Sequence, residues 1–389
     1  MKASNFETSA FGSVQKDASN GFNWFLPSPL PKDVELSDET QMALSKADGA
    51  VGRLDGVARL LRNPELISRP YAAREAVASS RIEGTQATLT DVYESEAGNP
   101  RAYVQDVRAI EAYRQALDEG LQYVRDQKVD LSLIQRVHAI LVGNHSDMSP
   151  GQWRTTPVWL GSPTKGPETA RFVPPIGPAM IENLDDWETW HARPPRLPLL
   201  IRIALLHYQF LTIHPFRDGN GRVGRMLIQL LLEEERALSA PLLYVSAYFA
   251  ANRTEYYDRL QNVREKGEIQ EWLQFFLTAV HVQAEDGLAR ALHLLELREK
   301  YRADLSGVRS RAPEVVDMLF ENPVVTAAQV QLQLNVSNQG ALNLLRSLER
   351  RHWLSTLGSF GRGGTKFWYA PQVLQLFDDE SRPAPEESE

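Results

Sequence analysis

Apolar side chains return every three or four positions from 36 to 61, again over 103–123, and again over 131–141. That spacing places them on one face of a helix, so the front half of the chain is predicted to be built of amphipathic helices. Ser37 suits the first cap. Pro70 is predicted to open a second helix through Ala73, Val77 and Ile82, and Leu89 to start another. Further helices are predicted over 180–191, 197–212, 222–235, 253–264 and 269–297. Between Trp153 and Pro178 the pattern breaks into Pro, Gly and Thr around two short β-favouring runs, Pro157-Val-Trp-Leu-Gly161 and Ala170-Arg-Phe-Val-Pro174, which predicts a hairpin set between helices. After Ser306 come short helices over 312–320, 327–334 and 338–350, then strand-like runs over 353–357 and 366–370 around the glycines from Gly358 to Gly364. Three helices followed by such a hairpin suggest a winged helix.

A length of 389 residues allows two or three domains. The pattern divides them as an N-terminal helical region over 1–100, a helical catalytic domain over 101–285, a linking helix over 286–305, a winged helix over 306–376 and an acidic, disordered tail over 377–389. The formal charge of −8 weighs against bulk nucleic-acid binding. With no cysteine there is no disulfide or thiolate metal site, which suits a reducing, cytoplasmic setting. The first 23 residues lack the basic and apolar regions of a secretory signal. The most apolar stretch, 197–213, includes Arg202, His207 and Gln209 and suits a buried core helix better than a membrane span.

Chemistry concentrates in His214-Pro-Phe-Arg-Asp-Gly-Asn-Gly-Arg-Val-Gly-Arg225, between a buried helix and the next. Gly219 and Gly221 allow close approach of a ligand to the main chain, and the N–H groups at the following helix start favour an anion. Arg222 and Arg225 lie one turn apart and can reach one polyphosphate. Asp218 offers the hard carboxylate that Mg²⁺ requires, and His214 can accept a proton near neutral pH.

This string resembles the Fic family signature, His-x-Phe-x-Asp/Glu-Gly-Asn-Gly-Arg-x-x-Arg, at every specified position. The resemblance implies a mainly α fold, with a Fic-type helical core over roughly 131–276, a β-hairpin flap and, C-terminal to it, the winged helix. It implies a protein adenylyltransferase that moves AMP from ATP onto Ser, Thr or Tyr hydroxyls of target proteins and of itself, releasing pyrophosphate. His214 would deprotonate the hydroxyl, Asp218 would hold Mg²⁺, and Phe216 would anchor the loop. Gly219, Asn220 and Gly221 would surround the α-phosphate, and Arg222 and Arg225 would hold the outer phosphates.

Upstream, Ser79-Ser-Arg-Ile-Glu-Gly84 resembles the family's inhibitory motif, Ser/Thr-x-x-x-Glu-Gly/Asn. By resemblance Glu83 would pair with Arg225 where the γ-phosphate belongs, with Ser79 on the same helix face; Glu83 as a plain helix-end residue is the competing reading. The segment 158–174 resembles the family's flap, which takes the target's main chain as an added strand. Tyr256 and Tyr257 are candidates for a wall against the adenine. In the C-terminal module Arg346, Arg350, Arg351, Arg362 and Lys366 could meet phosphates, but Glu349 and the acidic chain weigh toward a protein-docking or dimerisation surface rather than DNA. Two alternatives to the transferase stand: removal of AMP from targets by way of Glu83, and a nucleotide-sensing regulator that binds DNA or a partner. By resemblance a homodimer would be a partner state, with dimerisation coupled to release of Glu83.

Overall fold

The computed structural model describes residues 1–18, 20–59, 65–97, 104–143, 149–161, 166–193, 197–360 and 365–377. After a short 3-10 turn come β1 (Gly12–Lys16), β2 (Asn23–Pro27), α1 (Asp38–Ala58), α2 (Glu65–Ile82), α3 (Leu89–Glu96), α4 (Val104–Tyr123) and α5 (Leu131–Val142). The middle of the chain holds α6 (Gly177–His191), α7 (Leu199–Ile213), α8 (Asn220–Glu234), α9 (Ser246–Ala251), α10 (Arg253–Lys266) and α11 (Ile269–Asp304). The rest is α12 (Ala312–Glu321), β3 (Val324–Thr326), α13 (Ala327–Leu334), α14 (Asn338–Glu349), β4 (Ser355–Phe360), β5 (Thr365–Tyr369) and α15 (Pro371–Gln375). These fall into two compact units: Met1–Gly52, Ala112–Leu238 and Val245–Ala284; and Arg53–Glu111, Ser239–Tyr244 and Glu285–Glu389. The fold is mainly α, as expected. No helix among the described residues is long and apolar enough to cross a membrane.

The first unit is organised around α7, whose side chains from Leu200 to Ile213 are all buried. A helix apolar all round belongs in a core, which is where the sequence reading of 197–213 put it. Trp187 of α6 and Trp272 of α11 donate their indole N–H groups to the carbonyls of Leu206 and Ala204, each at 3.0 Å. Helix α8 packs close to α7 at Gly224, where a Cβ would stand 2.8 Å from Leu211 Cδ2. His207 of α7 touches the same point: Nδ1 donates to the Gly224 carbonyl at 2.8 Å and Nε2 accepts from the Tyr256 hydroxyl at 2.8 Å.

The N-terminal region is not purely helical. Strands β1 and β2 pair antiparallel, Gly12 opposite Pro27 through Lys16 opposite Asn23. Neither carries the clean alternation that would announce a strand. Their stability comes from distant residues: Phe22 and Phe25 share a core with Phe172 and Val173, and the Phe25 N–H donates to the Val173 carbonyl at 2.8 Å. The flap itself is a hairpin whose described pairing is the bridge between Leu160 and Phe172; residues 162–165 of it lie outside the described residues.

In the second unit Pro70 sits inside α2 rather than at its start. Helix α11 runs unbroken through 285–286, and the edge between the units, at Ala284/Glu285, falls inside it one residue from the edge the sequence suggested. Helices α12, α13 and α14 and the sheet ordered β3-β5-β4 form the expected winged helix. Capping explains its turns: Thr326 and Gln329 make a capping box on α13, and Ser337 accepts from the Gly340 N–H at the start of α14. The tail residues 378–389 and Arg362 of the wing lie outside the described residues.

Candidate active site

The predicted loop joins α7 to α8, and its first residue carries its most unusual backbone. His214 caps α7 in the left-handed conformation, φ 51° and ψ 59°, with its N–H on the Phe210 carbonyl at 2.9 Å. A non-glycine residue pays conformational energy there, so something must hold it. Arg154 does. Its Nε donates to the His214 carbonyl at 2.8 Å, its Nη2 to those of Pro175 at 2.5 Å and Ile213 at 3.3 Å, and its main-chain N–H to Pro215 at 2.9 Å. The guanidinium is buried, and burial lowers its pKa to about 10. His214 Nδ1 lies 3.3 Å from the Leu211 carbonyl. A carbonyl only accepts, so Nδ1 carries the proton and the basic lone pair resides on Nε2.

The next residues are pinned from the other side. Phe216 is fully buried, stacked on His138 with centroids 3.6 Å apart and planes 4° apart, and tilted against Trp153 at 4.8 Å. His138 accepts from the Gly151 N–H at Nδ1 and donates from Nε2 to the Asp218 carbonyl at 3.1 Å. Burial lowers its pKa to about 4, so it is neutral and keeps that one tautomer. Phe216 thus anchors the loop as expected. Asn220 differs from expectation: its side chain is committed to the main chain of Phe216, Oδ1 accepting from the N–H at 2.9 Å and Nδ2 donating to the carbonyl at 2.8 Å. At 1% exposure it shapes the loop.

Gly219, at φ 79°, turns the chain into α8, whose opening N–H groups belong to Asn220, Gly221 and Arg222. Arg222 Nη2 lies 3.2 Å from Asp218 Oδ2, while its Nε is buried without a hydrogen-bond partner among the described residues. The Asp218 side chain is 54% exposed, and an exposed i,i+4 pair contributes only about 0.3–0.5 kcal/mol. An incoming cation and anion could therefore separate the two at little cost. One carboxylate completed by phosphate oxygens is how Mg²⁺ is usually held, so Asp218 fits that ion; no cluster of three or more metal-binding side chains exists among the described residues. Arg225 is buried on α8, one turn beyond Arg222.

The remaining candidates divide. Tyr256 is fully buried with its hydroxyl on His207, so it offers no surface to adenine. Tyr257 is half-buried, with the Arg253 guanidinium 5.3 Å from its ring centroid. Ser79 is buried on α2, whereas Glu83 is an exposed residue in the turn just past its end, so the two do not share a helix face. Gly84 follows at φ 103°. Glu83 belongs to the second unit and Arg225 to the first. Sequence reasoning missed Arg154 and His138, which lie 60 and 80 residues from their contacts in the loop; nothing local marks either.

Residues 41–122 match the Fic/DOC family N-terminal region, residues 128–232 the Fic/DOC family, and residues 312–368 an HTH DNA binding domain. Among curated proteins the chain is similar to protein adenylyltransferase fic-1 of Caenorhabditis elegans, 27% identical over 181 residues that span 46% of this chain and 32% of the relative. It is also similar to protein adenylyltransferase Fic of Nematostella vectensis, 26% identical over 208 residues, 51% of this chain and 44% of the relative. The chain thus spans about a third to under half of the length of these relatives. Its fold resembles that of a Fic family protein from Desulfovibrio desulfuricans G20, TM-score 0.55 at 20% identity, covering 88% of this chain and 98% of the other.

Proposed function

We propose that this chain, which carries a Fic domain together with that family's N-terminal region and a C-terminal winged helix, is a nucleotidyltransferase that moves AMP from ATP onto hydroxyl side chains of proteins, itself included. The observation that carries the reading is the braced loop: an unbroken motif in which His214 has its lone pair on Nε2 and α8 presents its first N–H groups beyond Gly219. His214 Nε2 takes the proton of the attacking hydroxyl. The oxygen bonds to the α-phosphorus, the bond to the bridging oxygen breaks, and pyrophosphate leaves. Negative charge spreads over the phosphoryl oxygens in such transfers, so fixed donors contribute more than covalent chemistry. Main-chain N–H groups of Gly219 and Gly221 meet the α-phosphate; Arg222 and Arg225 hold the outer phosphates. Mg²⁺, held by Asp218, would neutralise phosphate charge. Tyr257 lies against the adenine, and the target's main chain adds to the flap over 158–174.

The same chain carries its restraint in this reading. The Glu83 carboxylate pairs with Arg225 and occupies the γ-phosphate position, so ATP binds unproductively until the pair opens. The test compares wild type, Glu83→Gly and Glu83→Gly/His214→Ala with Mg-ATP, reading intact mass for AMP on the chain. Fast gain in Glu83→Gly and none in the double variant are expected. A Glu83→Gly chain that binds ATP yet modifies neither itself nor any protein of a lysate sinks the transferase reading; loss of AMP from a modified target that requires Glu83 would favour the reverse activity.

One observation favours a second role for the C-terminal module. The outward residues of α14 are Asn338, Gln339, Asn343 and Arg346, followed by Arg350, with no carboxylate among them. Glu349 is turned aside, accepting from the Thr356 hydroxyl at 2.8 Å and from Lys366 at 3.3 Å. Amides at a recognition-helix start suit base edges, and arginines in its last turn and just beyond suit phosphates. A gel shift that survives moderate salt and is lost in Arg346→Ala supports DNA reading; no shift leaves the surface to protein partners.

A further inference from the structure

A second guanidinium shares the task of Arg154. Arg264 of α10 is 4% exposed; its Nε donates to Thr212 Oγ1 at 3.1 Å and its Nη2 to the Leu211 carbonyl at 3.3 Å. Leu211 O is the same oxygen that His214 Nδ1 faces. The last carbonyls of α7 are therefore satisfied by the His214 N–H at Phe210, by Arg264 at Leu211 and by Arg154 at Ile213 and His214. Neither arginine has a carboxylate in ion-pair contact among the described residues. Burying two guanidinium groups in this way is expensive, even with Glu265 offsetting part of the charge of Arg264 through Gln261, and stability alone would be served as well by an ordinary glycine cap.

Each arginine also touches the flap. Arg154 reaches the carbonyls of Pro175 and, from Nη1 at 3.4 Å, Thr156, which flank the flap segment on either side. Arg264 lies over the ring of Phe172, 4.1 Å from its centroid, and Phe172 is the residue bridged to Leu160. Each guanidinium thus contacts the flap region and the end of α7 at once, Arg154 by sharing Nη2 between Pro175 and Ile213 and Arg264 by laying its face on Phe172 while its nitrogens hold Leu211 and Thr212. We propose that Arg154 and Arg264 are positioning residues that couple the flap to His214, so that a strand seated on the flap sets the aim of the base.

This rests on the adenylyl-transfer reading, and the experiment separates the two. In the 389-residue Glu83→Gly chain, Arg154→Lys and Arg264→Lys are each compared with the parent for AMP incorporation at saturating ATP, ATP Kd by calorimetry, melting temperature, and hydrogen exchange of peptides covering 156–161 and 209–216. Lysine retains the charge and loses the fork. Expected are a rate at least tenfold lower, an ATP Kd within twofold, and faster exchange in both peptides together. A rate that merely follows the folded fraction, or exchange altered in one peptide alone, overturns the coupling in whichever variant folds. If the parent itself transfers no AMP, adenylyl transfer fails as a reading, and the paired exchange still decides whether the arginines link flap and loop.

Discussion

Phe216→Ala removes a ring that fills the space between His138 and Trp153. A buried aromatic truncated in this way costs about 3–5 kcal/mol, which denaturant unfolding would register, and ATP affinity should fall with it because the loop loses its anchor. An unchanged midpoint would mean that the stack contributes nothing. His207 makes a different prediction. Burial, reinforced by Arg225, lowers its pKa to about 3, against about 6.5 for an unfolded histidine. The folded state refuses a proton that the unfolded state accepts. This contribution is whole above pH 6.5 and is lost as pH falls toward 3, by about 1.4 kcal/mol per pH unit. In His207→Gln the slope of unfolding free energy against pH between 6 and 4 should be shallower by that amount. At this scale the loop residues were legible because they are consecutive and their chemistry is complementary. His138, Arg154 and the burial of Tyr256 were not, since a hydrogen bond across 60 residues leaves no local trace.

Helices α7 and α8 approach each other through Gly224, and Gly224→Ala forces a methyl group to within 2.8 Å of Leu211. Overpacking of this kind costs about 1–3 kcal/mol and should lower the melting temperature with little loss of ATP affinity per folded molecule; a neutral result would show that Leu211 turns aside freely. The long elements could be read from the chain because each shows a full helical repeat: α4, α5, α10, α12, α13 and α14 lie within a few residues of their predicted spans. The short ones could not. Strands β1 and β2 are five residues each and owe their burial to Phe172 and Val173, so their signal resides in the partner. Strand β3, of three residues, and α9, of six, are below the length at which periodicity can be counted.

For the molecule as a whole, the linear division into domains differs from the folded one, because each unit gathers three separate stretches of chain and α11 contributes to both. The edge between the units at Ala284/Glu285 lies inside α11, one residue from the division read from the sequence, so a cut there would sever a helix. If release of Glu83 accompanies dimerisation, the specific rate of self-modification should rise with protein concentration in wild type and stay flat in Glu83→Gly; parallel curves would uncouple the brake from assembly. The left-handed peptide at His214 also has a consequence for lineage rather than mechanism. Glycine would occupy that φ without strain, so His214→Gly should unfold about 1 kcal/mol later than His214→Ala, and the reverse order would show that no strain is held there. A glycine there would relax the turn and remove the proposed base at once, so selection for stability alone and selection for activity would pull this position toward different residues.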